Sequence, residues 1–319
     1  MKVIVTGGAG FIGSNVVRML NDKGIEDIII VDNINTSDKW KNLVNKKYEK
    51  YIHKNEFLEQ LDDYKDVTHI IHMGACSSTT ENDFDYLYKN NYEYTIALWE
   101  FCAKNNISFI YASSAATYGA TENFSDESIE GLLPLNRYGY SKQIFDIWSM
   151  KQTSKPKQHV GLKFFNVYGP NEYAKGSMAS VIFHGFNQVK EKGKIGLFKS
   201  YKEGYEDGGQ LRDFVYVKDI TSVIEYFIDH PEYNGIYNLG TGNAESFRTL
   251  GESIFKALNL KPNIEYIEMP ETLRDKYQYY TQADISKLRS IGYDKKFYSL
   301  EEGTIDYVQN YLDKEYKIN

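Results

Sequence analysis

Cysteine is scarce in this 319-residue sequence: Cys76 and Cys102 are the only two, too few for a disulfide framework, and no CxxC pair suggests zinc. That usage points to a reducing cytoplasm. Long hydrophobic runs are missing as well, since no stretch approaches the ~18 uninterrupted apolar residues of a membrane-spanning helix. The opening "MKVIVTGGAG" runs straight into a strand and a glycine turn, without the apolar core and small-residue cleavage site of a signal peptide. There are no tandem repeats and no Pro/Gly/Ser-rich linker. Positive charge is not in excess either. A net charge of −7 and a pI of about 5.5 argue against a nucleic-acid polymer or an anionic membrane as partner. A small anion held in a local cationic pocket stays open.

What is present is a chain long enough to bury a large core. Its first half alternates β-branched runs with helical spacing. "KVIVT" (2–6), "DIIIV" (27–31), "THIIHM" (68–73), "SFIYAS" (108–113) and "HVGLKFF" (159–165) read as buried strands, and Phe11 to Asp22 and Tyr86 to Asn105 as helices. Such alternation predicts an α/β fold: a Rossmann-like doubly wound parallel sheet with a smaller α/β substrate-binding domain. In the second half "KIGLF" (194–198), "DFVYV" (213–217), "GIYNLG" (235–240) and "IEYIEM" (264–269) are strand candidates. Helices start after Ser246 and after Ser299, the latter with Glu302 placed for a capping box. The expected division is a cofactor-binding domain at 1–165, with segments near 213–243 returning to it, and a substrate domain at 166–212 and 244–319.

Between the first strand and its helix, "VTGGAGFIGSN" places Gly7, Gly10 and Gly13. Gly7 permits the tight turn, Gly10 the approach of backbone to a pyrophosphate, and Gly13 close helix packing. Helix-terminal N–H groups then face the phosphates. Asp32, ending the second strand, would accept hydrogen bonds from an adenosine ribose and repel a 2′-phosphate, favouring NAD. Lys39, seven residues on, would neutralise that phosphate and favour NADP. Spacing alone leaves the two open.

"YASSAATYG" (111–119) follows a strand at the ligand edge of the sheet, and "RYGYSKQIFDIW" (137–148) has a helical pattern. Tyr138 and Lys142 are one helical turn apart on one face. A free phenol with a pKa near ~10 is a poor base at neutral pH. A neighbouring ammonium favours the phenolate, so Lys142 would make Tyr138 a usable acid/base, with Ser114 bonding the same substrate hydroxyl. This set, joined to the glycine turn, points to hydride transfer on an alcohol or carbonyl. His69 and His72 look like strand residues without metal-ligand partners, and no metal site is expected.

"TGGAGFIG", "SSAATYG", "YGYSK", "FFNVYGP", "RDFVYVKDI" and "YNLGTG" together resemble the extended short-chain dehydrogenase/reductases, in their nucleotide-sugar epimerase and dehydratase branch, over essentially the whole chain. "GACSSTTE" (74–81), "FFNVYGPNEYAKGSMASVIFH" (164–184) and "KYQYYTQADISKLRSIGYDK" (276–295) are similar to a narrower group, the ADP-glyceromanno-heptose 6-epimerases. The resemblance implies that Phe11, Ile12, Asp32, Asn33, Lys39, Lys54, the segment Met73, Gly74, Ala75, Cys76 and Ser77, and Asn90, Tyr138, Lys142 and Val167 contact a cofactor, NADP in that group. It implies that Asn166, Ser177, His184, Phe198, Lys199, Ser200, Tyr201, Arg212 and Tyr277 hold an ADP-heptose. Tyr138 and Lys175 become the two proton-transfer residues. The implied reaction inverts C6 of the heptose in ADP-D-glycero-β-D-manno-heptose, a step of lipopolysaccharide inner-core precursor synthesis, through oxidation and re-reduction by tightly bound NADP. A homo-oligomer, a pentamer by analogy, is implied too. The stretch between Phe198 and Arg212, which holds Lys199 to Tyr201, is a few residues longer than the group's pattern.

Several of these residues carry physical expectations of their own. Arg212, in a polar stretch before a strand, can meet a phosphate bidentately. "NEYAKGSMAS" (171–180) presents Lys175 with no acidic partner beside it, and Ser177 is placed to cap a helix that carries His184. A desolvated lysine there would have a lowered pKa. The rival readings are a sugar 4-epimerase, which needs only the tyrosine, and a 4,6-dehydratase, disfavoured because Ala115 and Ala116 stand where an acidic pair would be needed. A non-catalytic NADP sensor on a decayed scaffold conflicts with the complete Ser114, Tyr138 and Lys142 set.

Overall fold

The computed structural model describes residues 1–274 and 277–319, so Lys276, the first residue of the 276–295 motif, lies outside the described residues. The strands of the first half are β1 (Val3–Thr6), β2 (Ile28–Asp32), β3 (Lys50–His53), β4 (His69–His72), β5 (Ser108–Ser114) and β6 (Gln158–Phe164). Those that follow are β7 (Asn166–Tyr168), β8 (Ile195–Phe198), β9 (Leu211–Tyr216), β10 (Gly235–Leu239), β11 (Ala244–Ser246) and β12 (Ile264–Ile267).

Seven strands form one all-parallel sheet in the order β10-β6-β5-β4-β1-β2-β3. The chain runs outward from β1 in one direction, then restarts at β4 in the other. The crevice at this switch, beyond the carboxyl ends of β1 and β4, is where such sheets bind ligands. Helices cover both faces, which is why β1 and β2 are buried along their whole length. Alternate residues go to opposite faces. Val3 and Val5 pack with Val16, Val17 and Leu20 of the helix Phe11–Asp22, whereas Ile4 packs with Leu98, Trp99 and Phe145 from the helices on the other face.

Three segments differ from the sequence expectation. β3 was not foreseen: it is an edge strand in which Ile52 alone is buried, so no apolar run announces it. Tyr86 to Asn105 is helical as expected but not uniformly so: a short α-helix Phe84–Leu87 runs on into a π-helical segment Tyr88–Glu93 and then an α-helix Tyr94–Asn105. Of the stretch expected to return to the main sheet, β10 does so, while β9 lies between β11 and β7 in a separate three-stranded sheet. β8 and β12 pair in parallel. A second core, with Ile182, Phe186, Leu197, Leu250, Ile254 and Tyr307, lies beneath these smaller sheets. Among the described residues no helix is long and apolar enough to cross a membrane.

Candidate active site

The glycine turn is built by contacts that no side chain could share. Gly7 has φ +67° and its N–H donates to the Val31 carbonyl at 2.7 Å. A Cβ on Gly13 would stand 2.1 Å from the Gly7 carbonyl oxygen, so only glycine lets the first helix start so close to the turn. A Cβ on Gly10 would meet only Gly7 atoms within 4 Å, leaving the rest of its surroundings open. The cavity beyond, about 470 Å³, is lined by Gly7, Gly10, Phe11, Ile12, Gly13, Asp32, Asn33, Lys39, Lys54, Asn90 and the segment Met73–Ser77. The expected cofactor contacts therefore come together, Tyr138, Lys142 and Val167 facing the adjoining cavity instead. A cradle of backbone N–H groups flanked by lysines fits a dinucleotide.

Asp32 is already engaged in this cradle. Its carboxylate accepts from Ala9 N at 2.9 Å and Asn33 N at 2.7 Å, and it pairs with the Lys39 ammonium at 2.7 Å. Lys54 donates to Asn90 Oδ1, and burial lowers its pKa. The π-helical segment has a use here. It carries Asn91, whose side chain accepts from Cys76 N at 2.8 Å and donates to the Cys76 carbonyl and Ser141 Oγ, both at 3.0 Å. Asn91 thus ties the Met73–Ser77 segment to the helix Arg137–Lys151. No motif in the sequence marks it. His72 is buried between the Thr6 and Thr95 hydroxyls, and burial pushes its pKa down to about 3, so it stays neutral.

The second cavity, about 570 Å³, shares Phe11, Ile12, Met73, Ala75, Ser77, Lys175 and Met178 with the first. Into it come Ser114 from the end of β5, Tyr138 and Lys142 from the helix Arg137–Lys151, and Lys175. Asn136 caps that helix, accepting from Gly139 N at 2.7 Å. Burial raises the Tyr138 phenol, and the group that opposes this is the Ser114 hydroxyl. The Lys142 ammonium donates to the Ala112 carbonyl at 2.9 Å, and burial lowers its pKa to about 8 against the opposing charge of Asp146.

Lys175 lies on the turn Tyr173–Met178, where Gly176 has φ +55°. Its ammonium stands 5.4 Å from the centre of the Phe11 ring, and burial lowers its pKa. As expected it makes no ion pair among the described residues, but the charge of Glu172 is felt at the site. Glu172 is buried, opposes the shift on Lys175, and accepts from Ser180 N at 2.6 Å and Ser180 Oγ at 2.7 Å. The helix begins at Val181 and is capped by Ser180, which accepts from Phe183 N; Ser177 is exposed and caps nothing. The extra turn Tyr173–Met178 displaces the cap by three residues. His184 packs its ring against Phe183 at 5.6 Å and lines neither cavity.

Arg212 lies within β9 rather than before it. Its guanidinium sits between Tyr277 at 5.2 Å and Phe247 at 5.8 Å, and it donates to the Leu211 carbonyl at 2.8 Å. It is buried, and no carboxylate among the described residues pairs with it. Phe198 meets Tyr277 edge-on at 6.3 Å, and Asn166 and Val167 line the cavity. Lys199 and Tyr201 turn outward to Glu268, and the Tyr201 ring lies 3.9 Å under Arg274; Ser200 donates its N–H to Asp207 at 2.8 Å. These three do not reach the cavity. Gln278, Thr281, Phe247 and Met178 line it without having been anticipated.

A doubly wound sheet, a glycine turn and a serine–tyrosine–lysine set opening on a second cavity define an enzyme that works on a substrate beside a bound dinucleotide. The chain belongs to the NAD dependent epimerase/dehydratase family, whose model matches residues 3–240. It is 53% identical over 327 residues to the ADP-L-glycero-D-manno-heptose-6-epimerase of Fusobacterium nucleatum, the match covering 98% of each chain. Among solved structures, the Helicobacter pylori ADP-L-glycero-D-manno-heptose-6-epimerase superposes with a TM-score of 0.83 at 28% identity, over 97% of this chain and 95% of that one. The Thermus thermophilus UDP-glucose 4-epimerase, solved in complex with NAD, has a TM-score of 0.78 at 25% identity, over 97% of this chain and 98% of that one. The protein is an isomerase of the epimerase type, with a nicotinamide cofactor.

Proposed function

We propose that the protein converts ADP-D-glycero-β-D-manno-heptose to ADP-L-glycero-β-D-manno-heptose, the activity named in its relatives, with NADP as the bound cofactor. Lipopolysaccharide inner-core precursor synthesis is the corresponding pathway, and free Cys76 and Cys102 fit a cytoplasmic site. Residues 1–165 serve the cofactor and most of the remainder the sugar nucleotide. The observation that carries the proposal is that Tyr138 and Lys175, from unrelated elements, line one cavity continuous with the dinucleotide cradle.

The nicotinamide supplies removal and return of a hydride at C6. The chain has to handle a C6 oxygen that stands in two positions, because an exocyclic carbon is attacked from either face while the hydride site stays put. One acid/base cannot reach both. Tyr138, with Ser114 holding the same hydroxyl, takes or gives the proton in one position, and Lys175 does so in the other. Burial lowers the Lys175 pKa and so eases proton release. Arg212, buried without a described counter-charge, would take the diphosphate. For NADP, Lys39 and Lys54 are the cations available to a 2′-phosphate, and Lys39 already offsets Asp32.

A sugar 4-epimerase would leave Lys175 without work. The deciding experiment is turnover of ADP-D-glycero-β-D-manno-heptose followed by NMR at C6, with Tyr138→Phe and Lys175→Ala. Both variants should lose at least about 100-fold in kcat. Full epimerisation by Lys175→Ala would overturn the two-base mechanism. Mass identification of the co-purifying dinucleotide tests NADP, and sedimentation tests the pentamer.

A further inference from the structure

Residues 315–319 fold back across the turn that carries Lys175. The reversal places two consecutive non-glycine residues in the left-handed region, Glu315 at φ +55° and Tyr316 at φ +59°. Such backbone persists only where surrounding contacts over-determine it, and here they do. The Tyr316 ring packs on Tyr173 at 5.5 Å and Phe183 at 6.0 Å, and its hydroxyl donates to Asn187 Oδ1 at 2.6 Å. In return the Tyr173 hydroxyl donates to the Lys317 carbonyl at 2.8 Å. Asn319 donates its backbone N–H to Asn171 Oδ1 at 2.9 Å and its side-chain amide to Asn15 Oδ1 at 2.6 Å.

These contacts join two pieces of the site. Asn15 belongs to the helix Phe11–Asp22 that opens on the glycine turn, and Asn171 and Tyr173 flank Glu172 just before Lys175. Asn171 is bonded to the same helix directly, its amide donating to Ser14 Oγ at 3.0 Å. Among the described residues the Lys175 ammonium has no hydrogen-bond partner, and Gly176 beside it has open space where a Cβ would be. Its position over Phe11 is therefore set by the backbone of the turn, and that backbone is held to the first helix from outside by residues 315–319.

We propose that residues 315–319 are a positioning strap for Lys175, with Tyr316 and Asn319 fixing the turn 171–178 against the cofactor-binding helix. The inference rests on Lys175 being a proton-transfer residue. A displacement of about 1 Å at a reacting group costs on the order of 100-fold in rate. Deletion of residues 315–319, and separately Asn319→Ala and Tyr173→Phe, which leave the chain's packing almost intact, should each be measured in the native background and in Lys175→Ala. In the native background the deletion should lower kcat about 10- to 100-fold and the point variants about threefold or more, with KM changed less than about threefold. In the Lys175→Ala background the same changes should cost less than about twofold, because the positioned group is already gone. A strap that merely stabilises the fold gives equal factors in both backgrounds, and that result, or no loss in the native background, overturns the proposal. Should Lys175→Ala alone keep full activity, the role of Lys175 fails first, visible before any strap variant is made, and the strap's role through it falls with it.

Discussion

Asp146 has no exposed surface, and its carboxylate is shared by three donors: the Lys163 ammonium at 2.9 Å, the Ser113 hydroxyl at 2.6 Å and the Tyr111 hydroxyl at 3.1 Å. Lys163 is equally buried on β6, donating also to Thr117 Oγ1 at 2.6 Å and lying 5.2 Å over the Tyr118 ring. Asp146→Ala strands that ammonium in a dry interior. Breaking a buried pair from one side costs about 3–5 kcal/mol, because the remaining charge keeps its desolvation penalty and loses its compensation. Asp146→Ala combined with Lys163→Met removes both ions and should recover most of this, leaving about 1–2 kcal/mol for the two hydroxyls without an acceptor. Urea unfolding, compared through midpoints at constant slope, reads each variant. If Asp146→Ala lies within about 1 kcal/mol of the native chain, or the double variant is no better than the single one, then the pair is not a unit and its burial is misjudged. A functional effect should accompany the structural one. Asp146 opposes the burial of Lys142, so Asp146→Asn should lower the Lys142 pKa further below about 8, moving the corresponding limb of the kcat/KM profile to lower pH.

Lys39→Ala should weaken NADP about tenfold in a direct binding titration while leaving NAD within about twofold, since a 2′-phosphate alone needs the ammonium; equal losses for both would assign Lys39 to Asp32 only. Lys142→Met should abolish turnover and yet stabilise the cofactor-free protein at pH 7 by about 1–3 kcal/mol, because a charged Lys142 is held in a buried site. The folded pKa of Lys142, about 8, lies below its ordinary value of 10.5, so this penalty is full below pH 8 and shrinks as pH rises toward 10.5. Thermal melts at pH 7 and pH 9.5 check that the gap narrows. Gly119→Ala puts a Cβ 1.7 Å from the Leu133 carbonyl oxygen at φ +65° and should cost about 2–4 kcal/mol in chemical denaturation.

The parts of the site that were legible are those whose cause is local. The glycine turn, the helix Phe11–Asp22 and the Ser299–Glu302 capping box follow from residues that act within a few positions of themselves. Tyr138 and Lys142 are legible because one helical turn brings them to one face. Reading failed where a segment's conformation serves something distant. Helical spacing continues through Tyr88–Glu93, but the π-helical widening there brings Asn91 to Cys76 and Ser141, residues 15 and 50 positions away. The spacing around Ser177 suggests a cap, while the actual start at Ser180 depends on buried Glu172 holding its N–H and hydroxyl.

By itself, then, the sequence determined the parallel α/β architecture, the dinucleotide cradle and the serine–tyrosine–lysine set, because hydrophobic periodicity and turn chemistry are properties of neighbouring residues. The tertiary structure decided what the charges do. Asp32 and Lys39, read from the chain as opposing votes on the cofactor, are an ion pair. Lys175 makes no ion pair among the described residues, though the charge of buried Glu172 offsets part of its desolvation, and Lys163, a strand residue like any other in the chain, is the counter-ion of Asp146. Burial is the physical reason. A charge takes its pKa and its partner from the water it has lost, and how much it loses depends on how the elements around it pack.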